Sequence, residues 1–175
     1  MRLVTIDGKL PELRRAGLLT DRGIVDLARA LPEGPLTALA LLGEGRLREL
    51  RPSALADSHP EAVMPADTRL WAPVDRPGKI LCLGLNFHSH AEENRKPIPP
   101  VPIVFSKATT ALCGPADDIV LPPGTDQVDW EVELCAVIGR QARGVSVDEA
   151  MDYVAGYTIM NDVSARDWQF AMSQW

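Results

Sequence analysis

Short apolar runs separated by turn residues fill the N-terminal part of the chain. RLVTI at 2–6 and GIVDLA at 23–28 predict short strands, because each run is apolar and is bounded by turn-forming residues. The Leu- and Ala-rich segment 36–50 predicts one or two short helices that break at Gly43 and Gly45. This part of the chain therefore reads as a small unit of strands and short helices, and it contains no cluster of ionisable residues.

A loop with two prolines, PVDRPG at 73–78, is the best candidate for a domain boundary. KILCLGL at 79–85 predicts a short apolar strand that ends in a polar segment. KPIPPVP at 96–102 has four prolines in seven residues, so it predicts an extended loop rather than a helix or a central strand. IVFSKA at 103–108 predicts a further strand.

The last part of the chain predicts a strand, a helix and a second strand. The first strand covers 130–138, and the helix begins with the capping-box signature SVDE at 146–149 and runs to Gly156. The second strand covers about 157–163, and another such signature, SARD at 164–167, starts a second helix. The order alone would suggest a parallel βαβ unit, but the many short strands and prolines before it favour a mainly β, mixed α+β fold.

Composition excludes several classes of protein. The 175 residues are 46% hydrophobic and 24% charged, which is ordinary for a globular protein, and the length suits one domain or a small domain with part of a larger one. No segment has the roughly 20 uninterrupted apolar residues of a membrane span, and no secretory signal is evident, so a cytoplasmic location is expected. A net charge of -6 without a basic stripe argues against a nucleic-acid partner. Cys82, Cys113 and Cys135 are expected to be reduced core thiols.

The alternation of side chains along strand 130–138 divides its residues between two faces. The apolar face, expected to lie in the core, comprises Trp130, Val132, Leu134, Ala136 and Ile138. The other face comprises Asp129, Glu131, Glu133, Cys135 and Val137. On it the α-carbons of Glu131 and Glu133 are about 6.5 to 7 Å apart at the usual strand rise. The two carboxylates can therefore bind one cation, and without one they repel each other.

Asp162 ends the later strand and supplies a third carboxylate if the two strands are neighbours. Oxygen ligands in that number suit Mg²⁺ or Mn²⁺, with Ca²⁺ as a further candidate, whereas zinc would be expected to recruit His or Cys. The alternative is that Glu131 and Glu133 line the solvated face of an edge strand. Cys135 and Val137 continue that face as apolar residues, which favours a polar pocket over a solvated face.

His90 and Glu93 are spaced three residues apart and would share a face of a helical turn. A carboxylate beside an imidazole fixes the tautomer of the ring and makes it a better general base for activating water. The alternative is a solvated loop histidine with a chance neighbour. His88 and His90 also form an H-x-H pair that could bind zinc, but no further His or Cys stands at ligand spacing.

Lys107 interrupts the apolar strand IVFSKA. It is either a residue at the edge of a sheet or a cation that faces an anionic ligand. The local sequence does not decide between these two.

Taken together, the segments after residue 70 resemble the fumarylacetoacetate hydrolase family. The resemblance rests on PGKILCLGLNFHSHAEE (77–93), on P-x-P-x-x-F-x-K (100–107), on ALCGPADDIVLP (111–122) and on 129–169, DWEVELCAVIGRQARGVSVDEAMDYVAGYTIMNDVSARDWQ. The E-x-E pair with the downstream NDVSARD is its most specific part. The N-terminal residues are only weakly characteristic.

The resemblance implies an α+β fold, a β-rich roll of mixed sheets with flanking helices, normally dimeric. Residues 1–72 would form a small variable N-terminal domain, and 73–175 the N-terminal portion of the catalytic domain. The family continues beyond the point that matches Trp175, so this chain is expected to lack the C-terminal part. The site residues that the resemblance implies are the metal ligands Glu131, Glu133 and Asp162, the water-activating dyad His90 and Glu93, and the strand lysine Lys107.

The activity that the resemblance implies is hydrolysis of a C–C bond in 2-oxo acids of the acylpyruvate or fumarylpyruvate type. The reaction would use Mg²⁺ or Mn²⁺ and pass through a metal-stabilised enolate. The same enolate would serve an oxaloacetate decarboxylase or a 2-hydroxymuconate-type isomerase or hydratase. From another class, the chain could be an inactive half-domain that acts as an interaction or metal-binding module. Phe87 departs from the family, in which the aromatic residue after Asn86 is more often tyrosine.

Overall fold

The computed structural model describes residues 1–8, 14–34 and 37–171 of the chain. The strands are β1 (Arg2–Ile6), β2 (Arg15–Thr20), β3 (Gly23–Asp26), β4 (Val63–Met64), β5 (Leu70–Trp71), β6 (Ile80–Gly84), β7 (Ile103–Lys107), β8 (Val128–Asp129), β9 (Val132–Ile138), β10 (Val154–Asn161) and β11 (Ser164–Ala165). The α-helices are α1 (Leu27–Ala30), α2 (Ala38–Gly43), α3 (Pro52–Ser58), α4 (His88–Glu93), α5 (Val147–Ala150) and α6 (Arg166–Ala171).

The chain divides into two compact units. Met1–Asp75 and the described residues from Cys113 onward form the first unit, and Arg76–Leu112 forms the second. Every strand pairing among the described residues is antiparallel, so the strands β9 and β10 do not belong to a βαβ unit. The predicted α+β class is confirmed. The predicted domains, 1–72 and 73–175, stay a prediction.

The N-terminal part of the first unit is a five-stranded sheet in the order β4-β3-β2-β1-β5. Alternation along the strands gives the sheet two apolar faces. Leu18 and Val25 pack on one face with Leu27, Leu41 and Ala56 from α1, α2 and α3. The other face carries a smaller cluster of buried residues, namely Val4, Ile6 and Ile24. The predicted strand at 2–6 and the helices of segment 36–50 are found, although Leu36 lies outside the described residues. The strand predicted at 23–28 is shorter than expected, because it ends at Asp26 and α1 begins at Leu27.

Strand β2 was not predicted, because Gly17 and the flanking polar residues interrupt its apolar pattern. It pairs with β1 through residues 15–19 and with β3 through residues 17–20. Gly23 begins β3 with a φ of 127°, and a Cβ there would lie 2.3 Å from the carbonyl oxygen of Met64. The positive φ and the close approach of β4 therefore both require glycine at this position.

Asp26 is a fully buried carboxylate at the end of β3. One oxygen accepts a hydrogen bond from the Ala28 N–H at 3.0 Å and caps α1, and the other lies 3.0 Å from Nη2 of Arg15. Removal of one partner of a buried ion pair leaves the other charge uncompensated in the protein interior.

We expect Asp26→Ala to lower the free energy of unfolding by about 3–5 kcal/mol, because Arg15 loses its counter-ion and α1 loses its cap. Urea denaturation of the variant measures this change. Asp21→Ala, in the exposed turn before β3, is the matched control and should change the free energy of unfolding little. Equal effects of the two substitutions would contradict the importance of the buried pair.

The helices of the last part of the chain are shorter than predicted. The capping box between Ser146 and Glu149 forms, and it lowers the pKa of Glu149 through hydrogen bonds from the Ser146 hydroxyl and N–H. However, α5 covers only four residues, and β10 begins at Val154 instead of after Gly156. These residues pair with β9 in the antiparallel ladder instead of continuing the helix, and the register shifts between Val154 and Gly156.

The second predicted capping box, at 164–167, does not form. Ser164 and Ala165 pair with Asp129 and Val128 as β11, and the Ser164 hydroxyl donates to the carbonyl of Asp162 at 3.1 Å. Helix α6 therefore begins two residues later than predicted, at Arg166.

The second unit is a two-stranded antiparallel sheet of β6 and β7 with α4 in the connection. KPIPPVP is irregular, as predicted. Cys82 is buried in β6, but Cys113, after the end of this unit, is exposed, so the expectation that all three cysteines lie in the core is wrong for Cys113. Local apolar context does not determine burial at a turn. Among the described residues, no helix has the length and apolar character needed to cross a membrane.

Candidate functional site

The β9–β10 hairpin places the three predicted metal ligands on one face. Glu133 lies opposite Met160 in the ladder, and one step further the Asp162 N–H donates to the Glu131 carbonyl at 2.8 Å. Directly opposite residues of antiparallel strands point to the same face with Cβ atoms about 4.5–5.5 Å apart. Glu131 and Asp162 therefore form a cross-strand pair, and Glu133 lies on the same face two residues along.

The burial of this hairpin is the reverse of the prediction. The expected core face is exposed: Trp130, Val132, Leu134 and Ile138 of the first strand and Tyr157 and Ile159 of its partner are each more than half exposed. The prediction of a core face was wrong because alternation defines two faces but does not say which one another element covers. No element within the described ranges covers the apolar face.

The carboxylate face is the more buried of the two. Asp162 is only 4% exposed, and the Glu131 side chain is 25% exposed. Burial raises the pKa of the Cys135 thiol on the same face. These observations do not fit the alternative of a fully solvated edge strand, and they favour a polar pocket.

Arg166, at the start of α6, is held by the carboxylates of this region, and sequence reasoning missed it. Its Nη2 lies 2.5 Å from Oε1 of Glu131 and 2.9 Å from Oδ2 of Asp129, and its Nε donates to the same Asp129 oxygen at 3.0 Å. Nη1 donates to Oε1 of Gln169 at 3.0 Å. The guanidinium therefore has a partner at each of its three nitrogens.

The pKa values of this cluster agree with its geometry. Burial lowers the pKa of Arg166, but the hydrogen bonds to Asp129 and Glu131 more than offset that effect, so the pKa is raised overall. The hydrogen bond from Arg166 is the largest cause of the lowered pKa of Asp129. Both groups are thus ionised at neutral pH.

Asn161 is a second residue that sequence reasoning missed. Its side-chain Oδ1 accepts a hydrogen bond from the Glu131 N–H at 3.0 Å. Together with the backbone bond from Asp162, this contact fixes the main chain of Glu131 at both its N–H and its carbonyl. The only sequence signal was the pair Asn161-Asp162 at the end of an apolar strand.

The three carboxylates suit a hard divalent cation because all their ligand atoms are oxygens. Their positions on one face of the hairpin also suit a shared ion. Their side chains would still have to turn to meet on one ion. In the part of the chain that the structure describes, no three His, Cys, Asp or Glu side chains are grouped closely enough to hold a metal. Arg166 contacts one oxygen of Glu131 in this arrangement. The assignment of the ligands stays a prediction.

His90 and Glu93 lie on one side of α4 in the second unit. Nδ1 of His90 is 3.8 Å from Oε2 of Glu93, within the range of an ion pair but too long for a direct hydrogen bond. The Asn94 side chain donates to the His90 carbonyl at 2.8 Å. Both side chains of the pair are exposed, and their catalytic role stays a prediction.

Two non-glycine residues with left-handed backbone flank α4: Leu85 has a φ of 54° and Arg95 a φ of 52°. Such conformations are uncommon outside glycine and persist only where the surroundings hold them. Beside α4 lies a cleft of about 200 Å³, lined mainly by apolar residues that include Phe87, Ile98 and Val101. The unusual backbone thus marks both ends of the segment that carries His90.

Lys107 ends β7, where it pairs with Ile80 of β6. Its side chain shares a face of the two-stranded sheet with Phe105, and the residue is partly buried. This position fits either of the roles that the sequence left open.

Comparison with known proteins identifies the relatives of the chain. A family model described as Fumarylacetoacetate (FAA) hydrolase C-terminal matches residues 79–175. The Bos taurus protein named oxaloacetate tautomerase FAHD2A, mitochondrial, is 44% identical over 158 residues, which are 87% of this chain and 49% of that protein. The chain spans about half the length of the curated relatives that it matches.

Solved structures share the fold. Fumarylacetoacetate hydrolase from Exiguobacterium antarcticum superposes with a TM-score of 0.76 at 25% identity, covering 98% of this chain and 59% of that one. Maleylpyruvate hydrolase from Sphingobium sp. SYK-6, in complex with manganese (II) ion and pyruvate, gives a TM-score of 0.69 at 27% identity over 95% of this chain and 60% of that one. The α+β architecture described above therefore matches the corresponding part of these two solved structures.

Proposed function

We propose that this chain, which belongs to the fumarylacetoacetate hydrolase family, takes part in divalent-metal-dependent chemistry on 2-oxo acids. The substrate that we favour is oxaloacetate, and the reaction is the interconversion of its keto and enol forms. The observation that carries the proposal is the placement of Glu131, Glu133 and Asp162 on one half-buried face at the end of a hairpin. The similarity to an oxaloacetate tautomerase supports the choice of substrate.

The residues that would hold Mg²⁺ or Mn²⁺ are these three carboxylates. A divalent cation would polarise the 2-oxo and carboxylate oxygens of the substrate and so favour loss of a proton from C3. The hairpin prepares the site, because Asn161 and Asp162 fix the main chain of Glu131 before any ligand arrives.

His90 is the residue to which we assign proton transfer. It would take the proton from C3 of the keto form while the C–H electron pair becomes the C2–C3 double bond, and a proton would then be added to the 2-oxygen. No atom is gained or lost overall. Glu93, 3.8 Å from the ring, would stabilise the protonated imidazole. Lys107 would offset the charge of a substrate carboxylate.

A second candidate is hydrolysis of a C–C bond in an acylpyruvate, and the similarity to a maleylpyruvate hydrolase solved with manganese and pyruvate favours it. In this reaction His90 would deprotonate a water that attacks the distal carbonyl. The C–C bond breaks to give a carboxylic acid and the enol of pyruvate. A decarboxylase or an isomerase would also develop negative charge on the carbon next to the 2-oxo group, and that charge would be delocalised onto the 2-oxygen in the same way.

Assays of the purified protein on a panel of 2-oxo acids separate these reactions. With Mg²⁺ or Mn²⁺ we expect the fastest conversion for enol-oxaloacetate, followed by ultraviolet absorbance, with loss of the rate in a chelator. Slow or no cleavage of maleylpyruvate is expected under the same conditions. Faster cleavage of maleylpyruvate would favour the hydrolase, and a rate that a chelator leaves unchanged would contradict metal dependence.

The remaining expectations from the sequence are proposals as well. We propose that the protein forms a homodimer, which light scattering after size exclusion would test, and that it binds neither nucleic acid nor membrane. A non-catalytic module would show metal binding without turnover of any member of the panel. The cytoplasmic location stays a prediction, and the bovine relative carries the word mitochondrial in its name.

A further inference from the structure

One nitrogen of Arg166, Nη2, contacts both Glu131 and Asp129. Nη2 lies 2.5 Å from Oε1 of Glu131 and 2.9 Å from Oδ2 of Asp129. The same Asp129 oxygen also accepts from Nε at 3.0 Å. The guanidinium thus uses its two-nitrogen edge on Asp129, and Glu131 receives a contact at one oxygen.

Asp129 makes further contacts besides those with Arg166. Its Oδ1 accepts a hydrogen bond from the Trp130 N–H at 2.9 Å, and its main chain pairs with Ser164 in the short ladder of β8 and β11. The Arg166 N–H donates to the Gln127 carbonyl at 2.9 Å and extends this ladder. The Asp129–Arg166 pair is therefore supported by several contacts besides the one between Arg166 and Glu131.

A guanidinium binds a carboxylate most strongly through two parallel hydrogen bonds. If Asp129 did not occupy the Nε–Nη2 edge, Arg166 would be able to bind both oxygens of Glu131. A divalent cation would then have to displace the guanidinium from the carboxylate. With Asp129 in place, the contact is confined to Oε1.

We infer that Asp129 is a positioning residue: by holding Arg166, it confines the guanidinium to one oxygen of Glu131 and leaves the other oxygen for the divalent cation. The inference rests on the proposed function, because it needs Glu131 to be a metal ligand. It assigns a role to an aspartate that is two residues from the E-x-E pair and is not itself a ligand.

The test is a calorimetric titration of the protein with Mn²⁺. We expect Asp129→Asn to weaken Mn²⁺ binding by about 10- to 100-fold, as loss of outer partners of metal ligands does in other proteins. Asp129→Glu, which keeps the charge, should bind more tightly than Asp129→Asn. The matched control is Asp126→Asn, an exposed aspartate in the same segment, which should bind Mn²⁺ as the wild type does. Melting temperatures without metal show whether each variant is folded.

A second arm tests whether Asp129 acts through Arg166. In an Arg166→Gln background, Asp129→Asn should change the Mn²⁺ affinity by no more than about twofold, because the competing guanidinium is gone. An equally large loss in that background would overturn the inference, as would wild-type affinity of Asp129→Asn itself. Failure of the wild-type protein to bind Mn²⁺ would overturn the proposed function and this inference together.

Discussion

Glu131→Gln is expected to abolish the binding of Mn²⁺ and the turnover of oxaloacetate together. Glutamine has the shape of glutamate, but its amide carbonyl is neutral, so it binds a divalent cation more weakly than a carboxylate does and cannot offset the charge of the ion. Glu131 is also the residue at which two cross-strand contacts meet, from Asn161 and from Asp162. Its backbone position should therefore survive the substitution, so that the loss reflects the carboxylate alone.

Calorimetric titration with Mn²⁺ and a turnover assay on the same sample measure the two effects. Glu33→Gln, an exposed glutamate of the N-terminal part, is the matched control and should retain both properties. Wild-type Mn²⁺ affinity in Glu131→Gln would remove this residue from the ligand set. Loss of turnover with full retention of metal binding would assign Glu131 to the substrate instead.

His90→Ala is expected to leave Mn²⁺ binding intact and to slow turnover by about 10²- to 10⁴-fold, the usual contribution of a general base. We expect metal binding and turnover to respond differently because His90 is assigned to proton transfer, whereas every assigned metal ligand is a carboxylate. Glu93→Gln should cause a smaller loss, because its carboxylate lies 3.8 Å from the imidazole and acts through it.

The control for this prediction lies on the same helix. His88→Ala removes an exposed imidazole two residues away and should have little effect on turnover. A rate for His90→Ala equal to that of the wild type would exclude the residue from the mechanism. Equal losses for His88→Ala and His90→Ala would show that the helix, and not the His90 ring, is what the reaction requires.

The strand periodicity was enough to place Glu131 and Glu133 on one face. The sequence predicted that Asp162 would lie near this pair only if the two strands were neighbours. The antiparallel ladder makes them neighbours and brings Asp162 opposite Glu131. Alternation could not tell which face is covered, because burial depends on elements distant in the sequence. That is why the apolar face of the hairpin, expected in the core, is exposed.

Contacts between residues far apart in the sequence could not be predicted from local patterns. Arg166 reaches Asp129 across 37 positions, and nothing in SARD reveals that its arginine turns back to the E-x-E segment. The same ladder explains the failed capping box, since Ser164 pairs with Asp129 instead of capping a helix. Asp129 itself had been placed on the face of Glu131 and Glu133, and this was the available signal for its role.

We propose above that the carboxylates of the hairpin hold a divalent cation that binds a 2-oxo acid. Electron paramagnetic resonance of Mn²⁺ bound to the protein, recorded with pyruvate that carries a magnetic oxygen isotope, tests it most directly. We expect the spectrum of one bound Mn²⁺ per chain, broadened by the labelled pyruvate, and no such spectrum for Glu131→Gln. A wild-type spectrum of free Mn²⁺ only, or a bound spectrum that labelled pyruvate leaves unchanged, would contradict it.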